Sequence, residues 1–144
     1  MFKKKLLVLT IGLSCVVANA TPNSWSYGHN FGQAQFYIEN KKSQSLEISC
    51  GEEYGRSIYF SYNIDDEPID VTEKNQFSFL FDNTIPVTIT TTKESDNEWV
   101  KFNEAISKAK KIQVFRNNQE VAVFTPLPHT VKTEISHIKD ECRK

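Results

Sequence analysis

Chemistry in this chain would have to start from its histidines, its carboxylates or its cysteines. Three histidines are present, His29, His129 and His137, and histidine is the side chain whose charge change lies nearest neutral pH. None sits in a catalytic spacing. His29 lies in a polar, aromatic stretch, His129 follows Pro126-Leu127-Pro128, and His137 faces away from the apolar stripe of the last expected helix. His137 and Glu141 are four residues apart and would be neighbours on a helix surface. One such pair is not a metal centre, because zinc takes three or four protein ligands held by outer partners. Asp65, Asp66, Glu67 and Asp70 cluster, but Pro68 and Ile69 interrupt the spacing that a calcium loop needs, so a solvated turn is expected. There is no Gly-x-Ser-x-Gly elbow and, with five glycines in all, no phosphate-cradling loop. No catalytic residue, metal-ligand set or cofactor site is therefore expected. Paired carboxylates, whose separation only a fold reveals, leave a small hydrolase as a third reading behind two binding ones.

What remains is surface. Tyr54, Arg56, Tyr59 and Tyr62 fall around one turn and the strand after it. Tyrosine and arginine are favoured at binding hot spots. Tyr54, Arg56 and Tyr59 form the candidate binding surface; the structural alternative makes Tyr62 core and leaves the others capping a sheet edge. Trp25 and Trp99 read as core anchors, since Trp99 leads a helical apolar stripe.

The elements that position these residues begin after a leader. Met1-Phe2-Lys3-Lys4-Lys5 is cationic, Leu6 to Ala18 is almost wholly apolar, and Ala18-Asn19-Ala20 supplies small residues at an exit. That is the pattern of a secretory signal peptide, with cleavage expected between Ala20 and Thr21. A lipid-modified Cys15 is the rival reading, weakened because Leu13 stands one place too close to the cysteine for a good lipobox. The expected organisation is a signal peptide at 1–20 and a single secreted domain at 21–144, periplasmic or secreted, with no membrane span in the mature chain. Of the chain's 17 Lys+Arg, three are leader lysines, which leaves 14 against 18 Asp+Glu and a net charge near −4. Nothing in that balance resembles a nucleic-acid footprint.

Removing Cys15 leaves Cys50 and Cys142, and an oxidising compartment allows them one intramolecular pairing. Leu46, Ile48 and Cys50 share one parity of an alternating strand. Val131, Ile135, Ile138 and Cys142, spaced four, three and four, make one helical stripe. Both cysteines should therefore point into one core and form a structural disulfide.

Seven strands are expected, at Gln33 to Ile38, Ser45 to Cys50, Ser57 to Asn63, Gln76 to Asp82, Pro86 to Thr92, Ile112 to Arg116 and Gln119 to Thr125. Residues 21–30 read as an extended lead-in. Ser95-Asp96-Asn97-Glu98 fits a capping box ahead of a helix carrying Trp99, Phe102, Ile106 and Ala109. Asn117-Asn118 reads as a hairpin turn, Pro126-Leu127-Pro128 as a strand end, and a final helix runs from about Thr130 to Cys142. Without a regular β-α alternation, the fold class is α+β: a mostly antiparallel sheet or compact β-sandwich of about seven strands, two packed helices and one disulfide.

The layout also resembles a known group. A tryptophan near the mature start precedes a strand ending in cysteine, Leu46-Glu47-Ile48-Ser49-Cys50. Ser57-Ile58-Tyr59-Phe60-Ser61-Tyr62-Asn63-Ile64-Asp65 runs from a strand into an acidic turn, Val121-Ala122-Val123-Phe124 ends a hairpin, and a C-terminal helix closes on Cys142. This pattern is similar to small secreted proteins associated with type VI secretion, and more loosely to the invasion-associated locus B family. The resemblance implies a cysteine-stabilised β-rich domain without a defined catalytic centre; only the two cysteines carry over. The first functional expectation is a non-enzymatic periplasmic protein that binds another envelope or secreted protein, as an accessory of a secretion system or of virulence. The second is a periplasmic immunity protein or an inhibitor of a toxin or cell-wall hydrolase. Lysozyme inhibitors typically carry Ser-Gly-x-x-Tyr, which Gly55-Arg56-Ser57-Ile58-Tyr59 does not match.

Overall fold

The computed structural model describes residues 21–84, 86–89 and 96–143. The leader with Cys15 and the expected cleavage point, the 90–92 end of the isoleucine-threonine strand, Ser95 of the capping box and Lys144 lie outside those residues.

Five strands form the first sheet: β1 (Ser26–Asn30), β2 (Gln33–Glu39), β3 (Ser45–Gly51), β4 (Gly55–Ser61) and β5 (Ile69–Asp70), each antiparallel to the next. Period-two alternation puts Phe36 opposite Ile48 and Ile48 opposite Ile58, so the inward positions make an apolar row. The second sheet holds β6 (Phe77–Phe81), β7 (Val87–Ile89), β8 (Ile112–Arg116) and β9 (Gln119–Phe124) in the order β9-β8-β6-β7. Helix α1 (Asp96–Ile106) carries the chain from β7 to β8 on the far side of β6. The two extra strands beyond the expected seven are both edges. β1 was expected as mere extended lead-in, because Ser26-Tyr27-Gly28-His29-Asn30 shows no apolar alternation.

One core serves both sheets. Phe60 of the first sheet meets Phe77 of the second at 5.4 Å between ring centroids. Trp99 stacks on Phe102, whose ring meets Phe79 and Phe81 edge-on, and this seats α1 on the second sheet. Trp25 and Trp99 are both buried, as core anchors. The helical stripe outlasts the helix: α1 ends at Ile106, yet Ala109 is buried in the turn that follows.

Asn117 and Asn118 take φ of 53° and 63°, the left-handed pair that a two-residue hairpin requires. The same conformation recurs at Asp82 and Asn83. There the Asp82 carboxylate accepts the Lys110 and Lys111 amides at 2.9 Å, pinning that turn to the chain leaving α1.

The last helix differs from expectation. It starts earlier, as α2 (Pro128–Thr133), with Pro128 in the first turn, where its missing amide costs no bond. It then breaks at Glu134 into a 3-10 turn (Ile135–His137) and α3 (Ile138–Glu141). Val131, Thr133 and Ile135 are β-branched, and the Thr133 and Ser136 hydroxyls donate to the His129 and Lys132 carbonyls, a local competition that weakens a regular helix. Ile135, Ile138 and Cys142 are nevertheless buried. None of the helices among the described residues is long and apolar enough to cross a membrane.

Candidate functional site

The three residues of the expected binding surface go three ways. Tyr54 stands at the tip of the β3–β4 turn and is 60% exposed. Arg56 shares the parity of Ile58 and Phe60 and turns inward, with its guanidinium 5.4 Å from the centre of the Trp99 ring. Tyr59, three positions on, points to the opposite face of β4, across from Glu47 and Asp70. Side chains an odd number of positions apart on a strand cannot share a face, so Tyr54, Arg56 and Tyr59 do not make one patch. Tyr62 packs edge-on against Phe60 at 5.0 Å, the structural alternative.

What the fold does bring together is one end of the five-stranded sheet. The two-residue turn between β1 and β2 is Phe31-Gly32, with φ of 51° and 78°. Phe31 is 85% exposed. Beside it lies the β3–β4 turn, with Glu52, Glu53 and Tyr54 ahead of Gly55 at φ 77°. The turns touch: a Cβ on Gly51 would stand 3.0 Å from the Gly32 carbonyl oxygen and 3.0 Å from the Gln33 side chain, so a larger residue there would have to push the neighbouring turn aside. Two exposed aromatic rings thus project from neighbouring turns. Phe31 escaped the sequence reading because left-handed turns ordinarily signal themselves by Asn-Gly or Asp-Gly; Phe-Gly between two strands was the available sign.

The C-terminal segment backs this end. Cys50 and Cys142 form the expected disulfide, with Cα atoms 5.3 Å apart, and both are buried. The Cys142 carbonyl accepts Trp99 Nε1 at 2.7 Å and Asn103 Nδ2 at 2.9 Å. Glu141 reaches His29, with Oε2 2.8 Å from Nε2, rather than its helical neighbour His137. His137 instead stacks on Tyr27 at 4.7 Å, and Phe36 covers the ring as well at 4.8 Å. Burial, and then the charge and hydrogen bond of Glu141, push the Tyr27 phenol above its ordinary range. An open depression of about 370 Å³ lies alongside, lined by Cys50, Gly51, Glu52, Asp140, Glu141 and Arg143. Arg143 is held by Asp140 at 3.0 Å.

This set is poor in reactive chemistry. His29 faces a carboxylate, with no hydroxyl or thiol nucleophile in the pair, and the two sulfurs are bonded to each other. Among the described residues, no group of three His, Cys, Asp or Glu side chains is placed to hold a metal. Asp65 and Asp66 sit in a turn whose amides bond Asn63. The arrangement offers contact surface: two aromatic rings, carboxylates and a braced backbone.

Known proteins give a sparse frame. The YfjT family model matches residues 23–128, a span that holds both sheets, both aromatic turns and α1. The uncharacterized protein YfjT of Escherichia coli (strain K12) is 25% identical over 118 residues, covering 76% of each chain. No solved structure matches. With that model spanning well over half its length, the chain belongs to the YfjT family.

Proposed function

We propose that this protein works outside the cytosol, without catalysis, by docking the Phe31–Tyr54 end of its first sheet onto another envelope or secreted protein. The observation that carries the reading is Phe31. A left-handed backbone costs a residue with a Cβ about 1–2 kcal/mol, and a ring 85% in water returns little of it through burial. Strained residues of this kind cluster where a surface recognises something. Aromatic side chains are enriched in interfaces, and tyrosine is a frequent hot-spot residue. The leader pattern of residues 1–20 supports export, and the Cys50–Cys142 bridge suits an oxidising compartment.

The partner is either a component of a secretion apparatus, as the type VI likeness suggests, or a toxin or cell-wall hydrolase held in check. A photo-reactive amino acid placed at position 31 in intact cells tests the docking. One discrete adduct with an envelope or secreted protein is expected there, and none from position 64, a half-exposed isoleucine in the turn beyond the other end of β4. The identity of the adduct separates the two kinds of partner. Absence of an adduct at 31, or cleavage of peptidoglycan by the purified mature chain, would overturn the reading.

A further inference from the structure

The outward face of the five-stranded sheet carries a row of side chains apart from the Phe31 end. One straight row of register partners crosses it: Tyr37 on β2 faces Glu47 on β3, Glu47 faces Tyr59 on β4, and Tyr59 faces Asp70 on β5. Directly opposed side chains on adjacent strands have Cβ atoms about 5 Å apart, so Glu47 stands between the two tyrosines. All three residues are half-buried. Among the described residues Glu47 accepts no hydrogen bond and has no counter-ion, and burial alone pushes its carboxyl above the ordinary range. Ser45, Ser49, Ser57 and Ser61 flank the row on the same face.

Charge decides what fits. No lysine or arginine occupies an outward position on the five strands, since Arg56, the one such residue on them, turns toward Trp99. Across residues 21–71 eight acids face three bases, whereas residues 72–144 hold ten acids and eleven bases. The segment that builds this sheet thus carries the negative excess of residues 21–144. An anionic ligand would meet repulsion and no basic side chain. A cation would meet a carboxylate lacking its partner, flanked by two tyrosines whose rings can attract positive charge.

We infer that Tyr37, Glu47 and Tyr59 form a receptor for a lysine or arginine side chain presented by a polypeptide partner. The carboxylate accepts the ammonium or guanidinium hydrogen bonds, and the rings flank the aliphatic stem and the charge. Glu47 lies four residues along β3 from Gly51, or about 13 Å from the Phe31 end. The site therefore does not depend on the docking proposed above, and either can fail alone.

The test is an amide-resolved NMR titration of the mature disulfide-bonded protein at low salt. The probes are trilysine, triarginine, triglutamate and the trimer of N-acetylglucosamine. Shifts centred on residues 37, 47 and 59 are expected with the two basic peptides and not with triglutamate or the sugar. Glu47→Gln should weaken trilysine binding about fivefold to tenfold, and Tyr37→Ala and Tyr59→Ala about twofold to fivefold each, the range of cation–π and charge-assisted contacts. Added salt should weaken binding further. Because Glu47→Gln replaces an unpaired carboxylate by a neutral isostere, it leaves the fold intact. Binding of the sugar at these residues, undiminished trilysine binding by Glu47→Gln, or no shifts with the basic peptides would each overturn the assignment.

Discussion

Replacing Phe31 by asparagine should make this protein more stable while weakening its contact with a partner. Phe31 holds φ at 51°, in the first position of a two-residue turn. That conformation costs a residue with a Cβ about 1–2 kcal/mol, and asparagine is among the few side chains that adopt it routinely. Against this stands the burial lost with the ring. Full burial of a phenylalanine contributes about 1.5–3 kcal/mol, so a ring 85% exposed contributes only about 0.3. The net expectation for Phe31→Asn is a gain of about 1 kcal/mol, or about 3–5 °C in melting temperature for a domain of this size. Phe31→Ala keeps the strain and loses the ring, and it should leave the midpoint within about 1–2 °C. Thermal unfolding followed by circular dichroism at neutral pH reads both. In parallel, a photo-reactive residue at position 54 should lose its adduct in the Phe31→Asn background. A melting temperature that falls by more than about 2 °C in Phe31→Asn would mean that the ring supports the fold, and the case for its recognition role would collapse.

The Cys142→Ser variant opens a loop spanning 92 residues and should cost about 4–5 kcal/mol in the chain-entropy description. A large fall in melting temperature is expected, with Cys50 open to thiol reagents only on unfolding; an unchanged midpoint would count against a structural bridge. Glu47 makes a pH prediction. Its folded-state carboxyl is raised by burial, so its contribution to stability is whole below the ordinary carboxylate range and is lost as pH climbs through the raised value. Tyr37, Tyr59 and the neighbouring Glu39 and Asp70 share its face, and none of them supplies positive charge. Glu47→Gln should match the parent near pH 4 and exceed it at pH 7, by less than about 0.5 kcal/mol, as befits a half-open position. Equal differences at both pH values in paired denaturant titrations would contradict that account.

Periodicity made much of this fold legible. Strands with one face in the core, such as β2 and β3, announce themselves because each second residue must leave water. The disulfide could be read for the same reason, since Cys50 and Cys142 each continue an apolar stripe. β1 leaves no local pattern because Tyr27 and His29 find their partners, His137 and Glu141, more than 100 residues away. The last helix is shorter than its stripe because Ile135, Ile138 and Cys142 stay buried across the change from α to 3-10 geometry at Glu134. Closeness along β4 is not closeness in space, since parity alone separates Arg56 from Tyr59. Phe31 could not be ranked from sequence, because its interest lies in a backbone angle combined with an absence of burial.

The carbonyl shared by Trp99 and Asn103, together with the bridge beside it, sets an order of events. Synthesis delivers Cys50 92 residues ahead of Cys142. In that interval a nascent chain can pair β2, β3 and β4, yet Cys50 carries a loose thiol and the Trp99 and Asn103 donors lack the carbonyl they bind. The fold is therefore sealed late, and a growing chain stalled before Cys142 should remain reduced, open to wrong partners and sensitive to protease.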